Sequence, residues 1–592
     1  MKRFMMLFTA LICAIAAANP MEFRSYKQTV KLEFASEKEA QESKLVVRGL
    51  PDKYVLAFTS RWDDSAMSHI NTHKVMSKYG AKGNFYVGGS METETPVLQH
   101  IIKNGCLAGA HTVGHNPMKR LTANRHFYEY MANRLSIEVK SQTPVNTQAS
   151  PYGNITGARK EGTQSIGRSL MATGIIGSPD SRSPEHLKKL GYPKNACAFA
   201  YRVVPGDRVP DLKKLESMLA KYLKMKELKD NPCISMSTHS WHTKEGLVLL
   251  DECYKRLTSH KDWWNCNQNE YAAYRYEFHN TVISKKVTGK SVTFEILRFE
   301  PFELGADVPL TFDVEGAKAL SASAGELKYD GTQLKVPHAK DHVLPSKYGY
   351  KKLDGVELVL TVSGIDGKLT AKVAGENGKK ISDVSLTFRV SPKYKTRVFR
   401  KDSKTAVESA EFALEPIEKS YHYTVGKPYY AVQMDYTLDG KRARLYEDCF
   451  GKEIKPVQKE LMDAVVLYER KKGWNGGAEL SKPETKIPAD FKQLKGTEAP
   501  YCTPGSMYMG KKIPRSGYVG VAEITSRGEN QYLVTVLSDK DGEMYFNGEK
   551  LPKKKKVKLK FKEGRNRLVI LGMRNYSHVF SIEGKVTYTP GN

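Results

Sequence analysis

Asp63 and Asp64 stand side by side just after an apolar run, Tyr54 to Thr59, with Ser60-Arg61-Trp62 between. Two adjacent carboxylates cannot face one point as a close dyad, so the pair suits two different jobs. The plainer alternative is that Asp64 only caps a helix beginning near Ser65. Further along, His111 and His115 lie four residues apart in Gly109-Ala110-His111-Thr112-Val113-Gly114-His115. On a helical turn, positions i and i+4 share a face, so both imidazoles can grip one ion. His69 and His73 have the same spacing but sit in the body of a helix, where they are expected to face solvent or an interface. Ala149-Ser150-Pro151-Tyr152-Gly153 is a rigid turn that either presents backbone N–H groups to an oxyanion or merely turns the chain. Ile234 to Ser240 is another apolar-to-polar run, leading through His239 to Trp241 and His242. A lone histidine there would ordinarily be a satisfied core residue.

The elements that must position these groups are legible from periodicity. Tyr54 to Thr59 reads as a buried strand, His69 to Tyr79 as a helix, Gly83 to Val87 as a strand and Val97 to Asn104 as a helix. Further helices are expected over Asp211 to Leu228 and Leu247 to Ser259. This βα alternation implies a mainly parallel sheet or barrel, in which sites are built at the carboxyl ends of strands. Each of the four candidate stretches falls at such an end.

In that order and context, the residues resemble the polysaccharide deacetylase family, carbohydrate esterase family 4, also called the nodulation-factor deacetylase homology domain. Asp63-Asp64 is similar to the family's T-F-D-D motif and His111 to His115 to its H-T-x-x-H. Tyr79-Gly80-Ala81-Lys82-Gly83-Asn84-Phe85-Tyr86-Val87 resembles Y-G-x-K-A-T-F-F-V, Tyr152 falls on the R-x-P-Y-G turn, and His239 on the late histidine motif. The likeness covers about residues 46–280. It implies a distorted (β/α)7-type barrel and one divalent ion, Zn2+ or else Co2+ or Ni2+, held by Asp64, His111 and His115. Asp63 would be the general base, His239 the general acid, and the Tyr152 backbone N–H an oxyanion donor. A zinc-bound water has a pKa of roughly 7 instead of about 15.7, so an adjacent carboxylate can take its proton at neutral pH.

The chain departs from the family pattern at several places. Arg61-Trp62 replaces Thr-Phe, Ser65 replaces a glycine, and Ala149 stands where the family has an arginine that pairs with the base. Without that cation Asp63 is more easily protonated unless Arg61 or Arg202 substitutes. Asp180 and Asp207 are both candidates to orient His239. Trp62 and Trp241 could stack on a sugar ring or pack in the core.

Beyond about Asn280 the pattern changes to period-two strands separated by Gly, Asp and Asn turns, so β-sandwich domains are expected behind the barrel. The expected organisation is a leader at 1–18, an N-terminal segment at 19–45, the barrel at 46–285 and a β-sandwich at 286–392. An irregular linker or small domain follows at 393–500, then a jelly-roll-like β-sandwich at 501–592. The leader has Lys2 and Arg3 before the apolar run Phe4 to Ile15 and small residues at Ala16 and Ala18, the pattern of a cleavable secretory signal. Secretion to periplasm or exterior, with no transmembrane segment, is therefore expected. Of eight cysteines one lies in the leader, and the other seven are too sparse for a disulfide scaffold.

A formal net charge of +28 would first suggest nucleic acid, but an exported protein meets anionic glycans more often. The expected partner is a carbohydrate polymer or glycan, anionic by preference, and not nucleic acid. The expected activity is metal-dependent hydrolysis of N-acetyl groups on amino sugars. An O-acetyl esterase on the same site and an inactive surface glycan-binding protein are the alternatives.

Overall fold

The computed structural model describes residues 23–583 apart from 65–66, 89–94, 116, 119–120, 122, 154, 156–164, 179–199, 302, 324–327, 331, 340–355, 363–367, 376–380, 392–397, 406–408, 414–429, 449–459, 463–465, 495–515, 527–528, 538–541 and 573–578. The expected leader and Asp180 lie outside the described residues. Two compact units divide the chain, with boundaries after His111, Asn133, Gly153, Thr173 and Lys351.

The first unit opens with strands β1 (Phe23–Glu33) and β2 (Lys44–Val47) on either side of the helix Glu37–Glu42. That helix starts where Ser36 and Glu39 form a reciprocal capping box, which satisfies two backbone donors at its first turn. A parallel layer follows, made of β3 (Leu56–Asp63), β4 (Asn84–Val87), β5 (Leu107–Ala110), β6 (Tyr201–Val203), β7 (Cys233–His239) and β8 (Trp263–Asn265). Its order is β5-β4-β3-β7-β6, with β8 pairing only the start of β3. Isolated parallel bridges from Ala110 to Gln148 and from Thr147 to Gly177 continue the pairing beyond β5.

Parallel strands covered on both faces read as continuous apolar runs rather than as alternation. All eight residues of β3 are buried, including Ser60, Arg61 and Asp63. The helices His69–Lys78, Thr95–Ile101 and Lys244–Thr258 form within a few residues of their expected bounds, and Gln268–Asn280 is a further helix that the sequence reading did not include. The helix expected over 211–228 is interrupted, since Leu212–Tyr222 is followed by a separate turn of helix at Glu227–Asp230.

From residue 281 the first unit is antiparallel, through β9 (Thr281–Thr288), β10 (Ser291–Pro301) and β11 (Leu310–Glu315). β10 pairs with β1 along its whole length, from Phe23 against Pro301 to Glu33 against Ser291, and β11 pairs with β2. Residues 23–47 are thus integral strands of sheets completed by residues far along the chain. Apolar residues of β1 and β10, among them Val30, Leu32, Phe294 and Ile296, are fully buried or nearly so.

The second unit takes in the start of the helix Ala123–Ser141 and the helix Ser165–Ala172, and its remaining part, from Lys352, contains antiparallel sheets. Strands Val356–Val362, Lys368–Gly375 and Ser409–Ala413 form one of them, and Ile381–Val390 pairs on its two sides with Val398–Thr405 and Tyr430–Leu438 in another. Near the C-terminus, Ile524 and Phe546 from one sheet share a core with Val534 and Phe561 from a second, which is sandwich packing.

Candidate metal centre and active site

Side chains two apart on a strand share a face, and this places Arg61 beside Asp63 at the end of β3. Arg61 Nε donates to Asp63 Oδ1 at 2.7 Å and Nη2 to Oδ2 at 2.6 Å, a paired, buried contact. Burial by itself would raise the Asp63 pKa. The charges of Arg61, His111 and Arg202 and the Arg61 hydrogen bonds outweigh it and hold the carboxyl down to about 2. Arg61 therefore supplies the cation that Ala149 does not. Trp62, on the opposite face, is fully buried, donates toward Met76 Sδ at 3.1 Å and meets the His242 ring edge-on. It is a packing residue.

Asp64 follows in a left-handed conformation, φ 66°. Its Oδ1 lies 3.3 Å from His111 Nε2 and its Oδ2 3.7 Å from His239 Nε2. His111 directly follows β5, whose last residues are Gly109 and Ala110. A Cβ at Gly109 would stand 2.4 Å from the Tyr86 ring, so only glycine lets the strand lie this close. His111 Nδ1 donates to the Ala149 carbonyl at 2.8 Å, which fixes the tautomer and leaves Nε2 facing Asp64. His115, four residues on, also has positive φ, at 48°, as does Thr112, at 70°, whose hydroxyl accepts from the His115 backbone N–H.

Asp64, His111 and His115 each offer one ligand atom, all within 4.8 Å of one another. A carboxylate with two imidazoles, one already locked with its lone pair toward the others, fits a divalent transition ion such as zinc and leaves a position open. The expected ligand set is thus brought together as a group.

β7 runs parallel to β3 in a register that pairs Asp63 with His239. His239 Nδ1 lies 3.1 Å from Asp207 Oδ1, which also accepts from the His239 backbone N–H and the Thr238 hydroxyl. Asp207, one of the two acids considered as orienting partners, is placed here. Burial works to raise the Asp207 pKa, but the Thr238 and His239 hydrogen bonds and the His239 charge pull it below the ordinary value. Trp241 stacks on the His239 ring, centroids 4.2 Å apart at 10°, and is about half exposed. The Tyr152 turn follows Gln148, the bridge partner of Ala110 at the end of β5. Tyr152 has φ 58° with its side chain pointing largely to solvent, so only its backbone is a candidate contributor to the site.

Of the two expected settings for His69 and His73, solvent or an interface, solvent is excluded. Both are buried, and His69 reaches the Asp64 carbonyl and the Ser240 hydroxyl. Burial pushes the His69 pKa down to about 4. The sequence reading left the setting open because helical spacing shows that two residues share a face but not which face is covered.

A second set of possible ligand atoms within 4.8 Å is Glu277, Glu300 and His338, all buried and also missed, since no motif links positions so far apart. Here Arg298 lies 3.3 Å from Glu277 Oε1, and both imidazole nitrogens of His338 face carboxylates, Nδ1 toward Asp307 at 2.8 Å and Nε2 toward Glu277 at 3.1 Å. Protonated His338 and Arg298 supply the positive charge, so this is an ion-pair cluster.

Residues 54–170 match the polysaccharide deacetylase family. No curated protein gives a significant match. Among solved structures, the chain is similar to a peptidoglycan deacetylase from Bacillus subtilis, at 16% identity over 37% of this chain and 91% of that one, TM-score 0.25. It is also similar to a family 4 carbohydrate esterase from Streptomyces lividans in complex with acetate, at 14% identity over 36% and 91%, TM-score 0.25. A polysaccharide deacetylase from Bacillus cereus aligns at 14% identity over 36% and 92%, TM-score 0.26. The family match spans β3 to the Tyr152 turn and includes every residue of the proposed ligand set, so the chain carries a polysaccharide deacetylase domain over residues 54–170.

Proposed function

We propose that this protein is an exported, metal-dependent carbohydrate deacetylase that hydrolyses N-acetyl groups of amino sugars in a polymer or glycan, with a zinc-type ion at Asp64, His111 and His115. The observation that carries the reading is the junction of two arrangements on one strand end: Asp64 inside the ligand group and Asp63 held ionised by Arg61 beside it. The ion would supply a Lewis acid for the acyl oxygen and a lowered pKa for the attacking water.

Asp63 accepts the proton that leaves this water as its oxygen bonds to the amide carbon. The Tyr152 backbone N–H stabilises the charge that develops on the acyl oxygen. His239 Nε2 then delivers a proton to the nitrogen as the carbon–nitrogen bond breaks, releasing acetate and a free sugar amine. Asp207, at His239 Nδ1, keeps the ring in the tautomer whose Nε2 faces the reacting groups and steadies its charged form. Trp241 offers an exposed face on which a sugar ring can stack.

The Arg61 cation beside Asp63, where Ala149 supplies none, favours an active site over an inactive glycan-binding protein. The barrel closure, the secreted location and an anionic glycan partner remain parts of this proposal, the last resting on the charge of +28. The test is acetate release from N- and O-acetylated glycans by the metal-replete protein. Release from N-acetylated substrates supports the proposal, release from O-acetylated ones alone assigns an esterase, and metal binding without release from any substrate returns the domain to a binding role.

A further inference from the structure

His69, the first residue of the helix His69–Lys78, stands only five residues after Asp64 in the chain. It is completely buried. Its Nε2 lies 2.5 Å from the Asp64 carbonyl oxygen and its Nδ1 2.6 Å from Ser240 Oγ. A carbonyl oxygen can only accept, so Nε2 carries the proton. In the neutral ring Nδ1 is then an acceptor, and the Ser240 hydroxyl donates to it. The Phe85 ring meets the imidazole edge-on, centroids 5.0 Å apart, and fixes its plane.

The two groups that His69 joins are not arbitrary. Asp64 is the residue whose carboxylate faces His111 and His239, and it holds a left-handed backbone, uncommon for a residue other than glycine. Ser240 directly follows His239 and is almost wholly buried. One ring therefore ties the ends of β3 and β7.

We propose that His69 is a positioning residue that grips the backbone of the metal-ligating aspartate and the strand end bearing the general acid, and so sets the aim of the Asp64 carboxylate. The assignment rests on the proposed metal centre. Metal-ligand support usually acts on a ligand's side chain, whereas this contact acts on the ligand's main chain.

The experiment uses the full-length protein with zinc or cobalt as probe. His69→Phe keeps the ring volume against Phe85 and removes both hydrogen bonds. Zinc affinity, by chelator competition, is expected to fall about tenfold or more, the usual size of a lost outer partner. The visible absorption of the cobalt-loaded protein should change, and kcat should fall with KM little moved. His69→Gln, whose amide N–H can still reach the Asp64 carbonyl, should recover most of the zinc affinity. Ser240→Ala should leave zinc affinity unchanged and lower kcat modestly. Wild-type zinc affinity and an unaltered cobalt spectrum in His69→Phe overturn the proposal, as does failure of His69→Gln to recover more affinity than His69→Phe.

If His69→Phe does not fold, nitrogen-15 NMR of the wild-type imidazole decides the matter. Protonated Nε2 and bare Nδ1 at neutral pH support the clamp, and the opposite tautomer overturns it. If the wild-type protein binds no zinc and releases no acetate, the proposed function fails instead, and the tautomer still reports whether the clamp exists.

Discussion

Arg61 and Asp63, two residues apart on one buried strand, meet through two hydrogen bonds of 2.7 and 2.6 Å. Removing the cation leaves a carboxyl that burial drives toward its neutral form. In Arg61→Gln the acid limb of the kcat/KM profile is expected to move up by about one pH unit or more. Stability should fall by about 3–5 kcal/mol, the usual cost of breaking a buried pair. The sign follows from the direction of the shift. With a folded value of about 2 below the ordinary 3.8, Asp63 stabilises the fold above pH 3.8, and that contribution is lost as pH falls through 2. A pH–rate profile identical to wild type would remove Arg61 from the role given to it.

The neighbouring aspartates should fail differently. Asp64→Asn takes an anionic ligand from a three-residue set, so bound metal and acetate release should fall together, with partial rescue by excess metal. Asp63→Asn leaves the ligands in place and should keep the ion while losing about 10²-fold or more in rate. Bound metal by mass spectrometry and acetate release, measured on folded proteins, separate the two. Metal loss in Asp63→Asn would reverse the assignment.

Asp207→Ala removes the partner of His239 Nδ1 and of two further donors. The expected result is full metal content with kcat lowered about tenfold or more. Equal turnover in wild type and variant would show that His239 needs no orienting acid.

His338 makes a prediction about pH and stability. Burial alone would lower its pKa, but hydrogen bonds with Asp307, Glu277 and Glu300 raise it to about 11. The charged groups facing it are those three acids and Arg298, with Arg24 on β1 beside Glu300. A folded value above the unfolded one gives stability that is complete below about pH 6.5 and is lost as pH rises toward 11. His338→Gln should therefore be less stable than wild type by about 3 kcal/mol or more at pH 6, with the gap narrowing in alkali. Denaturant unfolding at a series of pH values measures it, and a pH-independent gap would contradict the charged histidine.

If the surplus of lysine and arginine recruits substrate, kcat/KM on an anionic glycan should exceed that on its neutral counterpart and decline with salt, as expected when the Debye length shrinks from about 8 Å. Salt-independent, equal values would make the charge a solubility property.

Much of the parallel layer was legible because its signals are local. The apolar run before Asp63, the βα alternation and the four-residue histidine spacing each reveal themselves within a few residues. The partners that complete the site were less so. Arg61 was one of two named substitutes for the missing cation, and strand periodicity favours it because i and i+2 share a face. Asp207 lies in the connection after β6, and nothing in its sequence neighbours distinguishes it from Asp180. The pairing of β1 with β10, and the meeting of Glu277, Glu300 and His338, join residues far apart in the chain, and such pairing leaves no periodic trace at either end.

Asp64, Thr112, His115 and Tyr152 share a left-handed backbone that side chains other than glycine adopt at a cost. Thr112 is the most strained in kind, because a β-branched residue seldom takes φ near 70°. Screens for heat-resistant variants should therefore return glycine or asparagine at these positions, and some of the hits should be slower catalysts. The places where the chain would gain most by relaxing are the ones the proposed chemistry needs held, so selection for robustness alone would tend to erode the proposed centre.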